Sequence, residues 1–279
     1  MKEQLTLNRE KINRELKKGM YVIPSLFTCG NMAFGLMSIF TSIEGDFINA
    51  AWFLIGALVC DILDGRIARL TNTTSEFGLH LDSFSDLVSF GAAPALLMYT
   101  LILDRMGKLG MAIAVLFVLC ASLRLARYNV IALRKGVSKK FNGLPTPASA
   151  GIIISFVLSY ELVGGENPLN LKTIPILIQT MPYFFKAMPL VMIALSFLMV
   201  SNVPYSSFKK MDLSKPRKVS LLALIIVVAL LIIVYPQNVI FIIFTLYVLS
   251  GIVLYVPKKI IKKNQERNSE DDEEDDDDF

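Results

Sequence analysis

Four aspartates lie close together in a chain that is otherwise strongly apolar. They are Asp61, Asp64, Asp82 and Asp86, in the frame Asp-x-x-Asp-Gly-x-x-Ala-Arg, eight further residues, and Gly-x-x-x-Asp-x-x-x-Asp. A carboxylate within an apolar helix is costly, so it generally marks a functional site. Four converging carboxylates would repel one another unless cations lay between them. The pattern therefore predicts a metal site at a membrane surface.

The types of residue around the aspartates indicate the ligand. Carboxylate oxygens suit Mg²⁺, Mn²⁺ or Ca²⁺ rather than zinc. Gly65 and Ala68 leave room for a ligand to approach the helix backbone, and Gly78 offers the same on the facing helix, unless it serves close helix packing. Arg69 is placed to hold a phosphate, or alternatively to anchor the helix at the lipid interface. Together these residues predict a site for a pyrophosphate-containing ligand.

A helical hairpin is needed to bring the two pairs of aspartates together. The members of the first pair are three residues apart and those of the second pair four apart, so each pair shares one face of a helix. Residues 71–75 are turn-like, and Thr74 or Ser75 is suited to cap the second helix of the hairpin. The hairpin would place all four carboxylates at one depth.

The composition predicts an all-α, polytopic membrane protein. Of the 279 residues, 54% are hydrophobic, and apolar runs approaching about 20 residues recur, as helical membrane spans require. We predict about eight spans, at roughly 21–43, 47–70, 78–104, 107–134, 146–163, 181–200, 219–235 and 238–256. Before the first span, Leu5, Ile12, Leu16 and Met20 share one helical face among basic residues, which predicts an amphipathic interfacial helix.

The distribution of charge predicts the orientation in the membrane. Clusters of lysine and arginine follow the fourth, sixth and eighth predicted spans, so a cytoplasmic N-terminus makes every basic loop, the C-terminus and the aspartates cytoplasmic. Nine of the last ten residues are acidic although the formal net charge is +4. The rest of the chain is therefore basic, which suits contact with anionic membrane lipids rather than nucleic acid. The expected location is the cell membrane of a prokaryote.

The aspartate frame resembles the signature of the CDP-alcohol phosphatidyltransferase family at every fixed position. The resemblance covers the first six predicted spans and implies a homodimer with a two-metal active site, using Mg²⁺ or Mn²⁺, with Ca²⁺ as a bound or inhibitory ion. It also implies that an alcohol attacks the lipid phosphorus of a CDP-linked lipid and that CMP leaves. Asp61, Asp64, Asp82 and Asp86 would hold metal, and Asp86 would also be the general base. Residues of the first span, Thr28 and Asn31, would contact the nucleotide, unless they only bond helix to helix.

Two further segments resemble the phosphatidylserine synthase branch of that family. One is the run Arg-Leu-Ala-Arg-Tyr-Asn of residues 124–129, and the other is Gly-Leu-Pro-Thr-Pro of residues 143–147. Arg124, Arg127 and Asn129 are suited to hold an anionic group of the acceptor, although Arg127 alone could be an interfacial anchor. The branch implies L-serine as acceptor and a CDP-diacylglycerol-type lipid as donor.

The predicted spans, together with the resemblance over the first six of them, divide the chain. Residues 1–20 would form the amphipathic helix, 21–200 the six-helix catalytic domain, 201–256 a basic loop with two extra spans, and 257–279 a basic and then acidic disordered tail. The sequence leaves two alternatives open. A sister enzyme would use glycerol 3-phosphate or an inositol compound, and a cation transporter would use the carboxylates to line an ion path. Transporter sites lie near the midplane of inverted repeats, whereas these aspartates gather at helix ends.

Overall fold

Long apolar helices dominate the computed structural model, which describes residues 2–71, 75–135, 141–164, 175–205, 241–248 and 250–251. The helices are α1 (Lys2–Ile43), α2 (Phe47–Leu70), α3 (Glu76–Asp86), α4 (Ala93–Leu101), α5 (Lys108–Lys135), α6 (Thr146–Gly164) and α7 (Pro175–Val200). A π-helical turn, Leu87–Ala92, joins α3 to α4, and a 3₁₀ turn, Leu103–Met106, precedes α5. Residues 241–248 and 250–251 are also helical and are called α8. The predicted all-α class is confirmed.

Four helical segments of the described residues are long and apolar enough to cross a membrane. They are Ile23–Ile43, Phe47–Leu70, Glu76–Leu101 and Lys108–Leu133. Shorter apolar helices, Thr146–Ser159 and Phe185–Val200, coincide with the fifth and sixth predicted spans. The seventh span, much of the eighth and the acidic tail lie outside the described residues, so the count of eight stays a prediction.

The surface of the helices agrees with a membrane setting. Large apolar side chains point outward from α1, α5 and α7, among them Leu26, Phe40, Leu119, Leu190 and Phe197. Apolar side chains on this scale are rarely left exposed by a soluble monomer but are favourable against lipid. The chain is an integral membrane protein.

The first helix is continuous from Lys2 to Ile43. The segment predicted to lie in the interface is therefore helical, and it leads into the first span without a break. Its side chains lie outside the described part of the chain, so its amphipathic role stays a prediction.

A side-chain N-cap marks the start of both α2 and α3. The Asp46 carboxylate caps α2 by accepting a hydrogen bond from the Asn49 backbone N–H at 3.1 Å. Ser75 caps α3 in the same way, with 3.0 Å between its Oγ and the Gly78 nitrogen. The predicted cap at Ser75 is confirmed, and it fixes where the second half of the hairpin begins.

Close contact between α1 and α2 forms one side of the helix bundle. The buried face of α2 carries Ala50, Ala51, Leu54 and Ala57, all fully buried. Small side chains at such a face let helix backbones approach closely, which is the main source of packing energy in lipid. The tight α1–α2 pair holds α2, and with it the first two aspartates, against the N-terminal half of the first span.

A two-stranded antiparallel ribbon connects the start of α6 to the end of α7. It pairs β1 (Phe141–Asn142) with β2 (Pro204–Tyr205). Gly143 follows with φ of 90°, and its N–H donates to the Val203 carbonyl at 2.9 Å. A Cβ at Gly143 would collide with the Met199 carbonyl, so glycine is required for this closure. The ribbon fixes the first residues of α6 beside the end of α7.

Candidate active site

Three of the four aspartates converge at the α2–α3 hairpin. Asp61 and Asp64 lie in the last turns of α2, and Asp82 lies in α3. Each offers one carboxylate oxygen, and these oxygens all lie within 4.8 Å of one another. The hairpin predicted from the spacing therefore does bring carboxylates of both helices together.

The cluster fits a hard divalent cation. Asp64 is only 5% exposed, and its Oδ2 has no hydrogen-bond partner among the described residues. A buried carboxylate oxygen without a partner is unfavourable, and a cation bound between the three carboxylates would satisfy it. Asp61, Asp64 and Asp82 are thus the residues that could hold a metal.

Asp86 lies one turn beyond Asp82, at the last residue of α3, and is 8% exposed. Its Oδ1 accepts a hydrogen bond from the Asn31 side-chain amide at 3.4 Å. It is within electrostatic range of Asp61, Asp82 and Arg124, but it is not one of the three that cluster within 4.8 Å. Its environment therefore differs from theirs, and its ligation of a metal stays a prediction.

Two serines, which were not predicted as site residues, bind α1 to the region of Asp86. Ser85 Oγ donates to the Thr28 carbonyl at 2.9 Å, and Ser89 Oγ donates to the Asn31 carbonyl at 2.8 Å. Both serines are fully buried. Their four-residue spacing, on either side of Asp86, is a signal that could have identified a polar helix face, but it does not identify α1 as the partner. These bonds fix the position of α1 relative to the carboxylate.

The first-span residues predicted to contact the nucleotide lie beside the carboxylates. Thr28 is 5% exposed and its hydroxyl donates to the Pro24 carbonyl at 3.1 Å. Asn31 is fully buried, and its Oδ1 has no hydrogen-bond partner in the described part of the chain. The helix-to-helix role considered for Asn31 is present in its bond to Asp86, while its buried Oδ1 is an acceptor without a donor among the described residues. Nucleotide contact stays a prediction for both residues.

The residues predicted to cradle the pyrophosphate are more open. Gly65, Ala68 and Gly78 are half-buried, and Arg69 is exposed. A Cβ at Gly65 would lie 3.5 Å from the Arg69 guanidinium, and Arg69 is within electrostatic range of Asp61 and Asp64. The Arg69 guanidinium therefore lies over the backbone of Gly65, close to the carboxylates.

Arg124 and Arg127, predicted together as acceptor residues, have different partners. Arg124 is half-buried, donates to Thr146 Oγ1 at 2.9 Å, and is within electrostatic range of Asp86 and Asp61. Arg127 is exposed and donates to the Val200 carbonyl at 3.0 Å, at the end of α7. The structure therefore brings Arg124 toward the carboxylates, while Arg127 satisfies a helix C-terminus.

Asn129 is connected to the carboxylate site by a hydrogen bond with a residue of α3. Its Oδ1 accepts a hydrogen bond from Ser83 Oγ at 3.0 Å, and Ser83 directly follows Asp82 in the sequence. This bond connects the cytoplasmic end predicted for α5 to the carboxylate helix. An acceptor-binding role for Asn129 stays a prediction.

Comparison with known proteins assigns the chain to a family. The sequence model of the CDP-alcohol phosphatidyltransferase family matches residues 21–181, more than half of the chain. The chain belongs to the CDP-alcohol phosphatidyltransferases. It is therefore a membrane transferase of phospholipid synthesis, as the aspartate frame predicted.

The names of curated relatives indicate which members of the family this chain is similar to. A CDP-diacylglycerol–serine O-phosphatidyltransferase of Helicobacter pylori strain J99 is 34% identical over 241 residues, which are 85% of this chain and 92% of the relative. The Bacillus subtilis protein of that name is 30% identical over 191 residues, covering 68% of this chain and 93% of its own. An archaetidylserine synthase of Methanothermobacter thermautotrophicus is 40% identical over 139 residues, 49% of this chain and 58% of its own.

The matched residues include all four aspartates, α1 from residue 21 onward, and α2 to α6. Most of α7 and the whole of α8 lie beyond residue 181. The family model therefore says nothing about the contribution of these last helices.

Proposed function

We propose that this phosphatidyltransferase transfers the phosphatidyl group of CDP-diacylglycerol to the hydroxyl of L-serine, giving phosphatidylserine and CMP. The observation that carries the proposal is the cluster of Asp61, Asp64 and Asp82, with Asp86 and Arg124 on its border, in a chain similar over most of its length to enzymes named for this reaction. The carboxylates suit the donor, and the arginine suits an acceptor with a carboxylate.

The three clustered aspartates would hold Mg²⁺ or Mn²⁺, with two ions per active site and Asp86 beside the second. Bound ions would neutralise the pyrophosphate and so make CMP a better leaving group. The unpartnered Oδ2 of Asp64 supports this assignment. Ca²⁺, which accepts the same ligands with a less strict geometry, is expected to bind and to inhibit.

Asp86 would be the general base, since the serine hydroxyl is a poor nucleophile at neutral pH. The carboxylate would accept the hydroxyl proton while the serine oxygen forms a bond to the lipid phosphorus. The bond from that phosphorus to the bridging oxygen breaks, and CMP leaves with the electron pair. Asn31, which donates to Asp86 Oδ1, would orient the carboxylate for this step.

The CDP-lipid would lie along the ends of α1 to α3. Thr28 and Asn31 are proposed to contact the nucleotide, Gly65, Ala68 and Gly78 to admit the pyrophosphate to the helix backbones, and Arg69 to bind a phosphate oxygen. The position of the Arg69 guanidinium beside Gly65 supports this placement. Arg69 has a planar, permanently charged group that matches phosphate.

The serine carboxylate would bind Arg124, with Asn129 nearby. The contact of Arg124 with Thr146 leaves other guanidinium N–H groups for a carboxylate, because arginine carries five donors. Arg127 is proposed to act at the rim of the acceptor site, where it holds the end of α7. A positively charged group near Asp86 also offsets the repulsion among the carboxylates.

The charge distribution and the family also suggest in which membrane, and on which side of it, the reaction takes place. We infer a prokaryotic cell membrane, with the active site and both termini cytoplasmic, where serine and nucleotide are available. The basic loops would contact anionic lipids, and the protein would act as a homodimer, as is usual for the family.

The proposal is tested by CMP release from purified protein in detergent or vesicles. CDP-diacylglycerol is supplied with Mg²⁺ or Mn²⁺ and, in separate reactions, with L-serine, glycerol 3-phosphate or inositol. CMP release dependent on serine is expected. Preference for another acceptor would favour a sister enzyme, and no CMP with any acceptor would contradict the proposal. A parallel series with an isoprenoid CDP-lipid is included because one relative is an archaetidylserine synthase.

A further inference from the structure

The last described helix, α8, packs against α6 close to the site. The Phe244 ring lies where a side chain on Gly151 would be, so that even a Cβ at Gly151 would collide with it. Val248 is 7% exposed, and Gly251 is also buried. The contact is therefore a close one, in which a ring fills the groove left by a glycine.

The register of this contact brings Tyr247 toward Arg124. Tyr247 lies three residues after Phe244, on the same face of α8, and it is within electrostatic range of the Arg124 guanidinium. That guanidinium bonds Thr146, five residues before Gly151 in α6. Moving forward along α8 thus corresponds to moving backward along α6. We infer that the two helices run antiparallel here, with Tyr247 toward the Thr146 end of α6.

We propose that Tyr247 is a positioning residue for the acceptor, which acts on Arg124 from α8 while Thr146 binds the same guanidinium from α6. The inference rests on the proposed binding of the serine carboxylate by Arg124. A guanidinium fixed by two neighbouring helices loses less side-chain freedom when the acceptor binds. The helix α8, beyond the residues that the family model matches, would in this way complete the acceptor site.

The direct test is Tyr247→Phe, which removes the hydroxyl and keeps the ring that packs beside Val248. The KM for serine is expected to rise by about 3-fold or more, because Arg124 loses a polar neighbour that restrains its guanidinium. The KM for CDP-diacylglycerol and the kcat are expected to change little. Tyr99→Phe is the matched control. It makes the same chemical change about 20 Å from Asp86, as 13 residues of helix at 1.5 Å imply, beside an apolar cavity between α1, α4 and α5.

A second variant moves the helix rather than the hydroxyl. Gly151→Ala should displace Phe244 and α8 without touching Arg124, and it should also raise the KM for serine selectively. An unchanged serine KM in Tyr247→Phe, or an equal rise for both substrates, would overturn the inference.

Arg124→Lys separates this inference from the proposed function. If that change leaves the serine KM unaltered, the acceptor role of Arg124 fails. If it raises the serine KM while Tyr247→Phe does not, only the role of Tyr247 fails. In the Arg124→Lys background, Tyr247→Phe should add little, whereas fully additive effects would contradict a shared action.

Discussion

The Asn31 side-chain amide donates a hydrogen bond to Asp86 Oδ1, with 3.4 Å between the two atoms. Asn31 belongs to α1, and Asp86 is 55 residues later, at the end of α3. Ser85 and Ser89, on either side of Asp86, donate to the α1 backbone carbonyls of Thr28 and Asn31. The carboxylate proposed as the base is thus held by the first span, and not only by the hairpin that carries the aspartate frame.

Replacing Asp86 by Asn should abolish turnover, by at least about 100-fold in kcat, because the general base is lost. Binding of the CDP-lipid should remain, since the three clustered aspartates are unchanged. Radiolabelled donor binding and CMP release measure the two effects separately. Asp46→Asn is the matched control, because Asn also caps helices well and Asp46 is exposed at the other end of α2. Near-normal turnover in Asp86→Asn would show that Asp86 is not the general base.

The contact of Asn31 with Asp86 can be tested on its own. Asn31→Ala removes the amide that orients the carboxylate, and kcat should fall by about 10-fold. Asn49→Ala, an exposed asparagine at the start of α2, should leave kcat unchanged. Steady-state kinetics at saturating serine gives the comparison. Equal kcat values for the two variants would show that Asn31 does not orient the Asp86 carboxylate.

The closeness of α1 to the π-helical turn should make Gly35 intolerant of a side chain. A Cβ at Gly35 would collide with the backbone and hydroxyl of Ser89, so Gly35→Ala should lower stability by about 1–3 kcal/mol. At Gly30, also in α1, a Cβ would lie 3.5 Å from Cys60 Sγ, an ordinary contact. Gly30→Ala should therefore be neutral or mildly stabilising, because alanine has the higher helix propensity. The same gain in helix propensity applies to Gly35→Ala, so the difference between the two variants reports the steric contact alone. Thermal unfolding in detergent distinguishes them, and equal Tm values would contradict the close contact.

Arg127 should affect stability more than acceptor binding. Arg127→Gln removes the donor to the Val200 carbonyl, and a loss of about 1 kcal/mol would lower the Tm by about 2–4 °C. The KM for serine should rise less than in Arg124→Gln, which removes the half-buried guanidinium beside Thr146. If Arg127→Gln raises the serine KM as much as Arg124→Gln does, both arginines bind the acceptor directly.

Removal of divalent metal should stop the reaction. A chelator should abolish CMP release, and Mg²⁺ or Mn²⁺ should restore it. Asp64→Asn should raise the metal concentration needed for half-maximal activity by at least about 10-fold, because it weakens one of three clustered ligands. Metal titration of CMP release gives the value. Activity that is indifferent to the chelator would exclude a metal role for the cluster.

Much of the hairpin could be predicted because its signals are local. The three- and four-residue spacings place each aspartate pair on one helix face, and Ser75 marks the start of α3 through its own side chain. The apolar runs likewise place α1 to α5, since membrane thickness sets the length of a span.

Contacts between helices distant in sequence could not be predicted in this way. Apolar residues cover every face of a membrane helix, so periodicity does not reveal which neighbour a face contacts. The bonds of Ser85 and Ser89 to α1, the contact of Arg127 with the end of α7, and the approach of Tyr247 to Arg124 all depend on tertiary packing. The two arginines illustrate this, because they lie three residues apart with similar local sequence but have unrelated partners.

The most direct test of the central claim is a competition among acceptors. Purified protein is given CDP-diacylglycerol, Mg²⁺ or Mn²⁺, and equal concentrations of L-serine, glycerol 3-phosphate and inositol, and the lipid products are identified by mass spectrometry while CMP is quantified. We predict phosphatidylserine as the main product, formed in equal amount with CMP. A glycerol- or inositol-containing product, or lipid unchanged with no CMP released, would contradict the claim.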